Sequence, residues 1–257
     1  MPARVAPPGA TPAHVVATAH VFVERLDDRV VVEGSDGHHL QRARRIRAGE
    51  TITAADGYGR WRVFTVVTAE AGRVELEATS TVAHEPRLTP ALTVACALTK
   101  GEKPELAVQK LTELGVDRVL LVQAARSIVR WDDERTASGL ERLRRVAREA
   151  AAQARRARVP VVEGPVTPTE LATMPGLVVA AADGVAAHEL ALPREGEWVV
   201  AVGPEGGFEP SERAAMGQVP ELAVGPFVLR AETAAIAVAA ALAARRTFST
   251  HPVVHPN

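Results

Sequence analysis

At 257 residues the chain is long enough to bury a sizeable core and holds either one large domain or two of ordinary size. Its 47% hydrophobic content with only 4% aromatics excludes a disordered polymer and favours an α/β protein over an aromatic-rich β protein. A single cysteine, Cys96, excludes an intrachain disulfide and fits a reducing compartment, so a cytoplasmic protein is expected; the net charge of −1 argues neither for nor against nucleic acid.

In chain order, residues 1–19 carry Pro2, Pro7, Pro8, Gly9 and Pro12 and lack a continuous apolar segment long enough for a signal peptide, which predicts a flexible tail. Residues 20–82 read as a small β domain. Thr51-Ile52-Thr53-Ala54 runs into the turn Asp56-Gly57-Tyr58-Gly59, then Arg60-Trp61-Arg62-Val63-Phe64-Thr65-Val66, the turn Glu70-Ala71-Gly72 and Arg73-Val74-Glu75-Leu76-Glu77, three short strands suited to a small barrel or curled sheet. Before them, residues 39–46 form one or two helical turns with Leu40, Ala43 and Ile46 inward and Arg42, Arg44, Arg45 and Arg47 on or beside the outer face. Residues 83–91, with Pro86 and Pro90, read as a linker.

From residue 92 strands and helices alternate, which predicts a parallel sheet covered on both faces within a second domain, 92–248, and a C-terminal tail over 249–257. Strands are expected at 92–98, 119–123, 159–162, 177–181 and 198–202, with helices at 104–114, closed by Gly115, and over an Arg-rich stretch at 133–157. Cys96 lies in an apolar run and reads as a small core residue. The helix over 231–246 is apolar on nearly every face; it is shorter than the roughly 20 residues of a membrane span and is closed by Arg245-Arg246. A soluble protein without a membrane partner is therefore expected, with this helix enclosed by a subunit interface or by other chain segments.

Only Lys100, Lys103 and Lys110 of the 30 basic residues are lysines. Arg42, Arg44, Arg45 and Arg47 fall close together, and Arg142, Arg144, Arg145, Arg148, Arg155, Arg156 and Arg158 line a second stretch, which reads as a phosphate grip or as a solvated surface. The eight histidines, including His38-His39, have no ligand spacing, so no metal is expected.

The most informative pair of segments is Val202-Gly203-Pro204-Glu205-Gly206-Gly207-Phe208 and Val224-Gly225-Pro226-Phe227-Val228-Leu229-Arg230-Ala231-Glu232-Thr233-Ala234. Each reads as a buried strand followed by a Gly/Pro-rich loop and a helix, which presents bare backbone amides at the carboxyl edge of a sheet. Neither a dinucleotide fingerprint, nor a P-loop, nor a nucleophile elbow is present. A lone glycine pair would mean only a tight turn; two such loops in tandem read as a ligand site.

These two segments, with Lys100-Gly101, Gln109-Lys110-Leu111-Thr112-Glu113-Leu114-Gly115-Val116, Arg126-Ser127, and His38-His39-Leu40 with Arg45 and Gly49, closely resemble the bacterial 16S rRNA (uracil-N3) methyltransferase family of the SPOUT superfamily over roughly residues 20–246. The resemblance implies an N-terminal PUA-like β-barrel, a C-terminal α/β domain with a parallel sheet and a trefoil knot, S-adenosyl-L-methionine as cofactor, a homodimer, and 16S rRNA within the small ribosomal subunit as substrate. It places the cofactor against Ala181, Gly203, Pro204, Glu205, Gly206, Gly207, Val224, Gly225 and Leu229. Arg230 is expected to stabilise the developing uracil anion, and Glu232, or Glu205, to accept the N3 proton; the alternative is that Arg230 and Glu232 pair with each other or cap the last helix. Arg42, Arg44, Arg45, Arg47, Arg126, Gln153 and Arg156 are the RNA-side candidates. The chain departs from the family pattern at Ala125, at Ala152-Gln153-Ala154-Arg155-Arg156, at Glu209 and at Phe227. Competing expectations are a non-catalytic RNA-binding assembly factor and a knotted methyltransferase with another RNA target.

Overall fold

The computed structural model of the chain describes residues 10–42 and 44–246. The start of the expected N-terminal tail, the end of the expected second domain at 247–248 and the C-terminal tail over 249–257 lie outside the described residues. Two compact units are present, one comprising the described residues up to Arg87 together with Ala151–Val159, the other Leu88–Ala150 and the described residues from Pro160 onward. Residues 151–159, expected in the second domain, thus count with the first.

The first unit contains β1 (Ala19–Phe22), β2 (Arg29–Val32), α1 (Gly34–Arg42), β3 (Thr51–Ala55), β4 (Arg60–Glu70), β5 (Arg73–Ala78) and β6 (Ala83–His84). They form one sheet in the order β1-β3-β4-β5-β2, with β6 on β4; only the β1–β3 pair is parallel. Alternation in β5 is plain: Val74 and Leu76 are buried among Leu40, Phe64 and Val66, while Arg73 and Glu77 face out. The turn into β4 is pinned by Asp56, whose Oδ1 accepts the amides of Tyr58 at 2.8 Å and Arg60 at 3.1 Å.

Helix α1 differs from the expected 39–46 span. It begins at Gly34 and ends at Arg42, because Arg45 adopts a left-handed backbone (φ 52°) and the amides of Arg44 and Ile46 fold back onto the carbonyls of His39 and Leu40. Residues 10–19, expected to lie in a flexible tail, are held in place instead. Ala10 and Val15 are buried with Phe22, Trp61, Ala151 and Ala157, and the Arg155 guanidinium donates to the carbonyls of Val15 at 3.0 Å and Ala17 at 2.6 Å.

His20 ties the same segments together. Its ring nitrogens lie 2.8 Å from the Thr53 hydroxyl and 3.1 Å from the Arg156 carbonyl, and burial holds its pKa down at about 4. The folded protein thus resists protonating a group that the unfolded chain protonates near pH 6.5, so the contribution is intact above that pH and is lost as pH falls from 6.5 through about 4. Acid titration of stability is expected to lose about 3 kcal/mol over that window. Urea melts of the wild type and His20→Asn check this; an identical acid limb in both would exclude His20 as its source.

The second unit contains β7 (Ala91–Ala97), α2 (Lys103–Glu113), β8 (Arg118–Val122), most of α3 (Asp133–Gln153), β9 (Val161–Val166), α4 (Pro168–Leu171), β10 (Leu177–Ala186), β11 (Glu197–Val202), α5 (Pro210–Ala215), β12 (Glu221–Ala223) and α6 (Ala231–Ala243). All strands are parallel, in the order β12-β10-β11-β7-β8-β9. Strands β7, β8 and β11 are buried along nearly their whole length, as a sheet covered on both faces requires. Cys96 lies in β7 with its thiol pushed up to about 12 by burial, which makes it an inert packing residue.

Several boundaries differ from expectation: β9 covers Val161–Val166 rather than 159–162, and α6 ends at Ala243 rather than 246. Helix α3 stops at Gln153 rather than 157, with Arg155 in a left-handed conformation just beyond (φ 53°). Strand β10 runs on to Ala186 by shifting register between Ala180 and Val185 to keep β12 paired. Helix α6 packs against α2, β7 and β11 through Ala235, Val238, Ala239 and Leu242, and Thr233 and Ala240 remain exposed. Among the described residues no helix is long and apolar enough to cross a membrane.

Candidate functional site

Three chain segments meet beside the middle of β10 and the carboxyl ends of β11 and β12. Two leave those strands as loops, 203–209 and 224–230, and the third is the middle of β10 where its register shifts. They enclose a cleft of about 360 Å³ in the second unit. That volume lies within the roughly 300–1,000 Å³ range of small-molecule sites.

Each wall has a local cause. On the β10 side, Ala180, Ala181 and Ala182 offer only methyl groups and backbone. On the β11 side, Gly203, Pro204, Glu205 and Gly207 line the cleft; the Gly207 amide donates to the Pro204 carbonyl at 2.8 Å, and its φ of 69° requires a residue tolerant of the left-handed region. The Phe208 ring packs on Gly203, where an added Cβ would lie 3.3 Å from it. The third wall is Val224, Gly225, Phe227, Val228 and Leu229. Phe227 is 80% and Val228 95% exposed, so the apolar rim opens to solvent.

Gly206 does not line the cleft. Its carbonyl accepts the Arg126 guanidinium at 2.7 Å, and the Ala125 amide donates to Glu212 Oε1 at 2.7 Å, so the 125–126 segment is laced to the loop after β11 and to α5. Arg126, expected on the RNA side, therefore braces the cleft loop. Arg230 is exposed at the N-cap position of α6 and its side chain makes no capping bond.

Arg230 and Glu232 are not paired. Glu232, 8% exposed, lies instead 3.5 Å from Lys103 Nζ, which also donates to Glu205 Oε1 at 3.0 Å. The Glu205 carboxyl is held below the usual carboxylate range by its own backbone amide and by Lys103, with Lys100 adding a smaller pull. The cleft thus offers apolar faces for a flat ring, bare backbone for polar edges, and an ionised carboxylate for a cationic group. These residues fit an adenosyl amino-acid sulfonium, whose parts are of those three kinds. Lys103 and Arg213, the latter lining the cleft while held by Glu221 Oε1 and the Gly217 carbonyl, were not singled out from sequence. The available signal for Lys103 was that lysine is rare in an arginine-rich chain.

The other sequence candidates divide by unit. Arg42, Arg44, Arg45 and Arg47 are exposed at the end of α1 and in the turn after it, and Arg44 donates to Gln153 Oε1 across 109 residues of chain, with the half-buried Arg156 three residues further on. Several other arginines of the second cluster have internal partners. Arg142 pairs with Glu105 at 3.0 Å, Arg144 donates to the Val162 carbonyl, and Arg158 to the carbonyls of Tyr58 and Glu85. His38 and His39 are exposed on α1, and no group of residues able to hold a metal occurs among the described residues.

Residues 86–243 match the model of a family described as an RNA methyltransferase domain. The chain is 40% identical over 229 residues to the ribosomal RNA small subunit methyltransferase E of Mycobacterium bovis, covering 83% of this chain and 87% of that protein. The chain belongs to this family. The Bacillus subtilis protein of the same name is 28% identical over 79% of this chain and 85% of its own. Among solved structures, the ribosomal RNA small subunit methyltransferase E of Neisseria gonorrhoeae bound to S-adenosyl methionine superposes with a TM-score of 0.78 at 25% identity, covering 88% of this chain and 97% of that one.

Proposed function

We propose that the chain is an S-adenosylmethionine-dependent methyltransferase that modifies N3 of a uridine in small-subunit ribosomal RNA. The observation that carries the reading is the cleft of bare backbone beside β10 and the ends of β11 and β12, in a chain 40% identical to a ribosomal RNA small subunit methyltransferase E. When bound, the cofactor supplies an electrophilic methyl group on sulfur. Gly203, Gly207 and Gly225 would let the backbone approach it, and Leu229 would offer an apolar face to its adenine.

Most of the acceleration then comes from holding the uracil nitrogen in line with that methyl group. Arg230, exposed beside the rim, donates to the uracil oxygen on which negative charge develops. Of the two carboxylates considered for the N3 proton, Glu205 lines the cleft, whereas Glu232 is buried outside the lining.

The reading includes a trefoil knot. Supporting it, the chain runs to the sheet edge as β12 and returns as α6 onto β7 and β11, after which Arg245 donates to the carbonyls of Ala187 and Leu190 in the connection that follows β10. It also includes a PUA-like barrel built on the first sheet, with Arg42, Arg44, Arg45, Arg47, Gln153 and Arg156 against RNA phosphates. The exposed rim of Phe227 and Val228, together with the partly open α6, favours a homodimer. The working place is the cytoplasm, where ribosomal subunits are.

Incubation with small subunits lacking the modification, followed by nucleoside mass analysis, tests the reading. 3-Methyluridine is the expected product; a ribose-methylated nucleoside would indicate another target, and no methylation at all an assembly factor.

A further inference from the structure

Lys103 is the first residue of α2, and its ammonium stands between two carboxylates from separate parts of the second unit. Glu205 belongs to the loop after β11 that lines the cleft, and Glu232 to the first turn of α6, two residues after Arg230. Glu232 is 8% exposed, and its Oε2, 3.5 Å from the ammonium, has no hydrogen-bond partner. A buried carboxylate oxygen left without a hydrogen bond is tolerated beside a counter-charge.

We propose that Lys103 is a positioning residue for the methyl-transfer site: it holds the cofactor loop and the start of the last helix in one frame by standing between Glu205 and Glu232, which would otherwise repel each other. This rests on the cofactor reading above. Removing the ammonium leaves two carboxylates facing each other with only Lys100 acting on Glu205 from further off and with the exposed Arg230 close by in sequence. Glu232 is fixed in the first turn of α6 and Glu205 lies in a loop, so it is the Glu205 loop that yields, and the cleft loses its shape. The geometry makes a distinctive demand, that the damage should be repaired by removing a charge, either with a proton or by amidation.

The test is calorimetric binding of S-adenosylhomocysteine to the full chain, measured between about pH 5.5 and 8. The wild type is expected to bind with little pH dependence. Lys103→Met is expected to weaken binding about tenfold at pH 8, with the deficit narrowing toward pH 5.5, and Lys103→Arg to stay within about threefold of wild type. Lys103→Met combined with Glu232→Gln, which removes the carboxylate that does not line the cleft, should bind more tightly than Lys103→Met alone. A pH-independent deficit with no recovery in the double variant would overturn the proposal, as would wild-type binding by Lys103→Met. Should Lys103→Met fail to fold, recovery of a folded circular dichroism spectrum in the double variant is the same suppression, and its absence equally overturns the proposal. Failure of the wild type to bind is a separate result that removes the cofactor reading itself.

Discussion

Replacing Arg246 by methionine is expected to destabilise the protein by about 3 kcal/mol or more, the range seen when one partner of a buried ion pair is removed. The Arg246 side chain is 0% exposed. Its guanidinium donates to Asp117 Oδ2 at 2.5 Å, to the Gly115 carbonyl at 2.8 Å and to the Leu88 carbonyl at 3.3 Å, and Asp117 Oδ2 also accepts the Leu92 amide at 2.9 Å. The Arg246 cation is thus tied to the residues after α2 and to the entry of β7; without it two carbonyls lose a donor and the Asp117 carboxylate loses its counter-charge. The methionine restores volume and restores none of those bonds. Asp117 is 28% exposed, so water recovers part of the loss, which keeps the expected figure at the lower end of the range. A thermal melt should shift downward by about 6–12 °C for a chain of this size. A shift within error would mean that packing of α6 alone anchors the end of the chain.

The second large effect is on turnover. Arg230→Ala is expected to lower kcat by about 100- to 1,000-fold, the cost of deleting one donor aimed at a developing oxyanion. Cofactor affinity should stay within about twofold, because Arg230 lies outside the cleft lining, and stability should be unchanged, because its exposed side chain makes no capping bond to α6. The split between kcat and binding separates anion stabilisation from a role in the fold. Normal turnover in Arg230→Ala would remove the residue from the chemistry, and an equal loss of cofactor binding would place it among the residues that shape the cleft.

Much of the parallel sheet was legible because its strands are buried on both faces and appear as short apolar runs, and because Gly115 ends α2 with a left-handed residue (φ 84°). The cleft was legible for a related reason: bare backbone at a strand end needs glycine, and glycine is visible in a sequence. What escaped were features that depend on distant partners. The packing of Ala10 and Val15 depends on Trp61 and on Ala151 and Ala157, more than a hundred residues away in sequence, so a proline-rich start looked like a loose tail. The bond from Arg126 to the Gly206 carbonyl joins residues 80 positions apart. The early end of α1 depends on the left-handed Arg45, a conformation for which a non-glycine residue gives no signal. The Lys103–Glu205–Glu232 cluster joins three segments, and no spacing in the chain announces it.

The most direct measurement is a crystal structure of the full chain with S-adenosylhomocysteine. The account predicts the ligand in the cleft between residues 203–208 and 224–229, with Gly203, Gly225 and Leu229 against it and the sulfur directed toward the side on which Arg230 lies. Ligand density elsewhere on the chain, or a cleft left empty at saturating ligand, would contradict it.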